Sequence, residues 1–119
     1  MTAVHLCDDL IFTSRVAGTG RDLGIAVATA RTPAALLHAV RRARPGCVIL
    51  DLALAAADLP ALLAGLGDPR PLVVAYGSHV DTATLRAARE AGCDVVLPRS
   101  KFVEELPTAL AEWAGGRRA

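Results

Sequence analysis

Aromatic residues are scarce in this chain: only 3% of its residues are Phe, Trp or Tyr, whereas 53% are hydrophobic. A core with so few rings has to be built mainly from Ala, Leu and Val, a composition that suits helices packed on a buried sheet. A chain of 119 residues is long enough to bury one such core but too short for a second. We therefore expect a single domain covering residues 1–119.

Long apolar runs and a strong net charge are also absent. No stretch of about twenty apolar residues is present, and the amino end lacks the basic and apolar segments of a signal peptide. A formal net charge of +1 provides no global field to attract nucleic acid or an acidic membrane. We interpret the one basic cluster, Arg41, Arg42 and Arg44, as the solvated last turn of a helix, where cations favour the carbonyl end. The sequence predicts a soluble, cytoplasmic protein that binds neither nucleic acid nor membranes.

Cysteine is too rare for a disulfide framework. Cys7, Cys47 and Cys93 are odd in number, lie in or beside apolar runs, and show neither metal-ligand spacing nor a close redox pair. We expect them to be small buried hydrophobic side chains in a reducing compartment.

Short apolar runs alternate with amphipathic stretches of helical length, which is typical of a parallel sheet covered by helices on both faces. The runs are apolar throughout rather than alternating, and this indicates that both faces of each strand are buried. The sequence therefore predicts an α/β fold made of one doubly wound (βα)5 unit. The predicted strands are residues 3–7, 25–28, 47–50, 72–75 and 95–97.

Two of the helix boundaries depend on proline. Asp58 followed by Pro60 is the pattern of a helix cap with proline just inside the first turn, so we expect the third helix to begin there. Pro107 would break the last helix if it lay in the interior. We therefore predict that this helix begins near Glu104, which puts Pro107 in the first turn, where backbone N–H groups have no helical partner.

Acidic residues follow two of the apolar strands: Asp8 and Asp9 come after the first, and Asp51 comes after the third. In doubly wound sheets the cleft lies at the carboxyl ends of the strands where the winding reverses, so the three carboxylates would meet there if strands one and three are neighbours. Oxygen ligands of this kind suit Mg²⁺. The alternative for Asp8 and Asp9 is that they cap the helix beginning near Leu10.

A basic residue follows the last strand, in the run from residue 95 to 101. A phosphoryl group placed on a carboxylate needs its charge neutralised by a metal on one side and a cation on the other. Arg99 and Lys101 are the two candidates for this cation.

These residues carry a resemblance to a known family. Over residues 4–113 the chain resembles a response-regulator receiver domain, in which an acidic pair ends the first strand, as Asp8 and Asp9 do, and the phosphoacceptor aspartate ends the third, as Asp51 does. Residues 90–94 resemble the Ala-Gly-Ala turn that precedes the family's fifth strand. The resemblance implies a flavodoxin-like receiver fold with strand order 2-1-3-4-5, phosphorylation at Asp51 and a Mg²⁺ cofactor.

The chain departs from the family pattern around the expected phosphoryl group. An ungapped match places Arg99 at the family's lysine position and Ser100 at a position that is often proline, while Lys101 comes two residues late. Arg and Lys are not interchangeable around a compact phosphoryl group. Tyr76 falls at the family's small hydroxyl residue and is too large for that role, although Ser78 would serve if the loop alignment slips.

Three functions follow as hypotheses. The first is a stand-alone two-component receiver-like domain without an output domain, in which Asp51 accepts phosphate from a histidine kinase or phosphotransfer protein. It would act on a downstream protein, or as a homodimer, through the face of the fourth helix, fifth strand and fifth helix. The second is a pseudo-receiver, a binding module independent of phosphorylation. The third is a small phosphohydrolase with Asp51 as nucleophile, against which stands the lack of a substrate-binding cap; we expect no turnover enzyme.

Overall fold

The computed structural model describes residues 1–118 and contains one sheet of five parallel strands in the order β2-β1-β3-β4-β5. The α/β fold class and the strand order predicted from the sequence are therefore confirmed. Each strand begins and ends within two residues of its predicted bounds. The strands are β1 Thr2–Leu6, β2 Ala26–Ala30, β3 Cys47–Asp51, β4 Leu72–Gly77 and β5 Val95–Pro98.

Helical segments connect the strands and cover both faces of the sheet. Within residues 1–118, none of the helices combines the length and the apolarity that a membrane crossing requires. The helices are α1 Leu10–Asp22, α2 Pro33–Ala43, α3 Leu52–Ala55, α4 Leu59–Ala64, α5 Thr82–Ala91 and α6 Arg99–Ala114, with a 3-10 turn at Ala56–Asp58 between α3 and α4.

The two faces of the sheet differ in composition. The face covered by α2 to α5 packs aliphatic side chains and one cysteine, whereas the face covered by α1 and α6 contains all four aromatic residues of the chain. Tyr76 stacks on Phe102 with ring centroids 4.6 Å apart, and Phe102 stacks on Trp113 at 5.8 Å. The prediction of a core built mainly from Ala, Leu and Val describes the first layer best, since the few aromatic residues are concentrated in the other.

The two helix starts that depend on proline have different outcomes. Helix α4 begins at Leu59 with Asp58 at the N-cap position and Pro60 in the first turn, as predicted, although the side chain of Asp58 makes no capping hydrogen bond and the short helix α3 precedes it. The predicted start of the last helix near Glu104 is wrong, because α6 begins at Arg99 and encloses Pro107.

Burial explains how α6 extends through its proline. Phe102 and Leu106 are both buried four residues apart on the face that packs against the sheet, so the turns before Pro107 are held by tertiary contacts. The proline ring itself is exposed to solvent.

The strand order brings the acidic residues to one edge. Strands β1 and β3 are adjacent, with Leu6 paired to Leu50, and Asp51 is paired to Tyr76 on β4. The residues after β1 and at the end of β3 therefore lie at the same edge of the sheet, at its carboxyl end, and of the three acids Asp9 and Asp51 line the cleft there.

Candidate functional site

A cleft of about 1100 Å³ opens at the carboxyl ends of the strands. Its walls come from the start of α1, the end of β3 with α3, the loop after β4, and the start of α6. The predicted site residues that line it are Asp9, Asp51, Ser78, Arg99 and Ser100.

Asp51 lies at the bottom of this cleft with only 5% of its surface exposed. Its Oδ1 accepts a hydrogen bond from the backbone N–H of Ala53 at 3.0 Å, because the chain turns from β3 directly into α3. Its Oδ2 lies 3.5 Å from a guanidinium nitrogen of Arg99 and 3.8 Å from the thiol of Cys7. Both carboxylate oxygens therefore have partners from within the chain.

Arg99 is positioned by the start of α6 and by two rings. Its guanidinium carbon lies 4.7 Å from the ring centroid of Phe12 and 5.5 Å from that of Tyr76, distances at which a cation is attracted to an aromatic face. The side chain remains 43% exposed, so it links the buried carboxylate to the open cleft.

The two acidic residues after β1 are placed differently. Asp9 is the N-cap of α1, and its Oδ1 accepts hydrogen bonds from the N–H groups of Ile11 at 3.0 Å and Phe12 at 3.1 Å. Asp8 is exposed and does not line the cleft. The capping alternative is thus confirmed for Asp9.

The donor set does not fit Mg²⁺ well in this arrangement. In the described part of the chain no three His, Cys, Asp or Glu side chains stand together as a group that could hold a metal ion. Of the three predicted ligands, Asp51 is paired with Arg99, Asp9 uses one oxygen for capping and Asp8 lies outside the cleft. A cation is already supplied by Arg99, and metal binding by these acids stays a prediction.

The other predicted phosphoryl contacts are placed differently. Lys101 does not line the cleft; its Nζ lies 3.6 Å from a carboxylate oxygen of Glu104 on the surface of α6. Ser78 does line the cleft, and its Oγ accepts a hydrogen bond of 3.4 Å from the N–H of Val80, which is the role of a turn residue. Of the two candidate cations, only Arg99 contacts Asp51.

Tyr76 is fully buried and does not line the cleft. Its hydroxyl shares a 2.8 Å hydrogen bond with Nε2 of His5 on β1. Burial, followed by the neighbouring thiol of Cys7 and the nearby charge of Asp51, raises the pKa of Tyr76, so the phenol stays protonated. Burial, followed by the charge of Arg99, lowers the pKa of His5 to about 4.

Sequence reasoning missed three residues of this region. Arg15 lines the cleft from α1, one turn after Ile11, a spacing that puts the two on one helix face. His5 on β1 and Cys7, one residue beyond its end, point to the same side of the sheet because side chains alternate along an extended chain. That alternation was the available signal that His5 faces the same layer as the thiol next to Asp51.

Comparison with known proteins identifies the architecture. No protein-family model matches the chain, and no curated protein matches it either. Among solved structures, the receiver domain of NtrX from Brucella abortus is 26% identical, with 97% of this chain and 98% of that chain covered and a TM-score of 0.76. The resemblance to response-regulator receiver domains is confirmed.

Other receiver structures have the same fold. A response regulator from Hahella chejuensis matches with 16% identity, coverage of 99% of this chain and 98% of that chain, and a TM-score of 0.81. A longer NtrX chain from Brucella abortus matches at 26% identity over 96% of this chain with a TM-score of 0.78, but this receiver-like chain spans only 26% of it.

A fourth match is a complex. The structure of the Saccharomyces cerevisiae histidine phosphotransfer signaling protein Ypd1 with the receiver domain of its downstream response regulator Ssk1 matches at 17% identity. It covers 96% of this chain and 88% of that chain, with a TM-score of 0.72.

Proposed function

We propose that this receiver-like chain is a two-component signalling module that acts by binding a protein partner and does not depend on phosphorylation at Asp51. The observation that carries the proposal is the ion pair between Asp51 and Arg99, 3.5 Å apart at the bottom of the cleft. Arginine supplies a permanent positive charge there, at the place where a metal ion and a phosphoryl group would otherwise meet the carboxylate.

The residue at the switch position also supports a binding role. A residue that reports phosphorylation has to move toward the phosphoryl group, whereas Tyr76 is held by His5 and stacked on Phe102. Movement of this ring would break a buried hydrogen bond and open a void in the aromatic layer, which is costly.

Phosphorylation at Asp51 remains the second candidate, and the open cleft favours it. A volume of about 1100 Å³ beside the carboxylate offers ample room for a phosphoryl group, with Ser78 and Ser100 as hydroxyl donors on its walls. In this case Arg99 would turn from the carboxylate to the phosphoryl oxygens, since a guanidinium pairs well with phosphate.

Incubation with acetyl phosphate and Mg²⁺ distinguishes the two candidates. We expect intact-mass spectrometry of the unmodified chain to show no adduct beyond that of Asp51→Asn, the matched variant that lacks the acceptor. A phosphoryl adduct that appears in the unmodified chain and is lost in Asp51→Asn would establish the second candidate. Steady release of phosphate from esters would instead point to a hydrolase, which we do not expect.

The partner surface in this proposal is the face formed by α5, β5 and α6, which would bind a downstream protein or a second copy of the chain. Strand β5 is at the edge of the sheet and its residues are only half-buried. A histidine kinase or a phosphotransfer protein is a candidate partner, because the Ssk1 receiver domain is seen with Ypd1.

Charge reversal tests this face for self-association. Arg89 on α5 is exposed and donates a hydrogen bond to the carbonyl oxygen of Val96 on β5. We expect Arg89→Glu to weaken any dimer seen by sedimentation velocity, whereas Arg21→Glu on the exposed side of α1 leaves it unchanged. Equal effects of the two variants would count against this surface.

A further inference from the structure

A second cleft, of about 680 Å³, lies at the end of the sheet opposite Asp51. It is formed by the loops that precede β3 and β4: the N–H of Gly46 binds the carbonyl oxygen of Thr2 at the start of β1, and the N–H of Leu72 binds that of Gly46. The amino ends of three strands therefore meet here. Arginine side chains and proline rings line it, namely Arg41, Arg44, Arg70, Pro45, Pro69 and Pro71.

The cleft carries an excess of positive charge. Three arginines line it against one acidic residue, Asp68. Within residues 1–118, neither Arg41 nor Arg44 takes part in an ion pair or a side-chain hydrogen bond. Two of the three arginines therefore have no ion-pair partner in the described part of the chain.

Arg44 ends α2 in a left-handed backbone conformation. Its φ is 46°, which makes it the one residue other than glycine with a positive φ in the described part of the chain. It ends α2 in the left-handed region, the position at which glycine is most favoured. A cation near a helix end stabilises the dipole, but Arg41 and Arg42 already lie in that last turn. Glycine would suit this backbone better, and the arginine found there lines the cleft.

Arg70 has a guanidinium that is only partly satisfied. Its Nη2 donates to the carbonyl oxygen of Gly92 at 2.7 Å and lies 3.4 Å from Asp94, while its Nη1 is buried without a hydrogen-bond partner. Arg70 is therefore anchored to Gly92 and Asp94 at the side of the cleft, and Arg41 and Arg44 are the arginines without such contacts.

We propose that this basic cleft binds a small organic phosphate. The phosphate group is held by the guanidinium groups of Arg41 and Arg44, because the planar fork of arginine matches phosphate oxygens, and Arg70 adds positive charge at the wall of the cleft. The proline rings form the apolar wall for the organic part of the ligand. The site is separate from the Asp51 cleft, at the opposite end of the strands, and does not depend on the function proposed for that cleft.

The first test is a titration followed by amide chemical shifts, at constant ionic strength set with sodium chloride. The probes are phenyl phosphate and inorganic phosphate, which have similar charge and differ in the ring. We expect saturable shifts at Arg44, Gly46 and Arg70, with phenyl phosphate binding at least about fivefold more tightly, as a difference of about 1 kcal/mol implies. Shifts centred on Arg99 and Gly77, or none that saturate, would overturn the proposal. If both probes bound equally tightly, the proposed contact between the proline rings and the organic part of the ligand would be wrong.

Variants of the two neighbouring arginines give the second test. Arg44→Gly removes the side chain and suits the positive φ, so the fold should be retained while phenyl phosphate binding falls by about tenfold or more. Arg42→Ala is the matched control: it removes the same charge two residues earlier but does not line the cleft. We expect less than a twofold effect from it. Equal losses in the two variants would show non-specific attraction and overturn the site.

Discussion

His5 and Tyr76, 71 residues apart in the sequence, share a hydrogen bond of 2.8 Å in the interior of the domain. Both residues are fully buried, and the tyrosine ring also stacks on Phe102. The bond joins β1 to β4 across β3, the strand that ends in Asp51. Nε2 of His5 and the hydroxyl of Tyr76 are therefore each other's partner, which fixes Tyr76 in place, while Nδ1 of His5 is buried without a hydrogen bond in the described part of the chain.

Loss of this bond should destabilise the fold. Tyr76→Phe keeps the ring and its stacking but leaves Nε2 of His5 buried without a partner, which costs about 1–3 kcal/mol. Urea unfolding at neutral pH measures the change. Ser78→Ala, at an exposed residue two positions on, serves as control and should change stability by less than about 0.5 kcal/mol. Equal stability of Tyr76→Phe and the unmodified chain would mean that water or another group replaces the hydroxyl.

The buried histidine also predicts a dependence of stability on pH. Because the pKa of His5 is lowered from 6.5 to about 4 in the folded state, the unfolded state binds more protons between these values. The contribution of His5 is fully present above pH 6.5 and is lost as the pH falls toward 4. It amounts to on the order of 3 kcal/mol.

His5→Phe separates this contribution from the titration of carboxylates. We expect the fall in stability between pH 6.5 and 4 to be smaller in His5→Phe than in the unmodified chain. His79→Gln removes an exposed histidine and should keep the full pH dependence. A parallel decline in His5→Phe and the unmodified chain would contradict the assignment.

The fold could be predicted from the sequence because its signals are local. Continuous apolar runs and proline or glycine boundaries identify five strands, and parallel connection rules leave few orders. The position of Asp51 at a strand end followed directly. The sequence did not show which basic residue pairs with Asp51, because Arg99 and Lys101 both follow β5. The choice depends on α6 beginning at Arg99, which turns Lys101 about 200° around the helix axis.

Contacts between distant strands were beyond sequence reasoning. Strand alternation places His5 on one face of β1 but does not say which side chain of β4 it meets. The register that pairs Asp51 with Tyr76 decides this, and register comes from packing of the whole layer. For Asp9 the sequence allowed both capping and metal binding, because the same residue type suits both.

Removal of Arg99 should increase the affinity for Mg²⁺. A unit positive charge about 4 Å from a carboxylate interacts with it by ~1 kcal/mol in water and by more when partly buried. Arg99→Ala is therefore expected to bind Mg²⁺ at least about fivefold more tightly than the unmodified chain in a calorimetric titration. Arg15→Ala, which removes the same charge from the α1 wall of the cleft, should have a smaller effect. Identical affinities in all three proteins would show that Arg99 does not compete with the metal.

Gly46 is required by close packing between two distant segments. A Cβ atom at this position would overlap the backbone carbonyl of Ala114 at the end of α6. Gly46→Ala should therefore cost about 1–3 kcal/mol or more, since one of the two backbones has to shift. Gly18→Ala is the control, because a Cβ there meets only the side chain of Arg21 at 3.7 Å within α1. Gly18→Ala should stabilise the chain by about 0.5–1 kcal/mol. Thermal unfolding should therefore show a lower midpoint for Gly46→Ala and a higher midpoint for Gly18→Ala than for the unmodified chain.

Pro107 should weaken the helix in which it lies. It occupies the interior of α6 and is exposed, so replacing it by alanine restores a backbone donor without disturbing the core. Proline is about 3 kcal/mol less favourable than alanine inside a helix, and the greater freedom of the unfolded Pro107→Ala chain offsets about 1 kcal/mol of this. We expect a net gain of about 2 kcal/mol in urea unfolding. Pro33→Ala, at the first position of α2, should give no gain, because its N–H has no helical partner there. A gain in Pro33→Ala equal to that in Pro107→Ala would mean that helix position is not the cause.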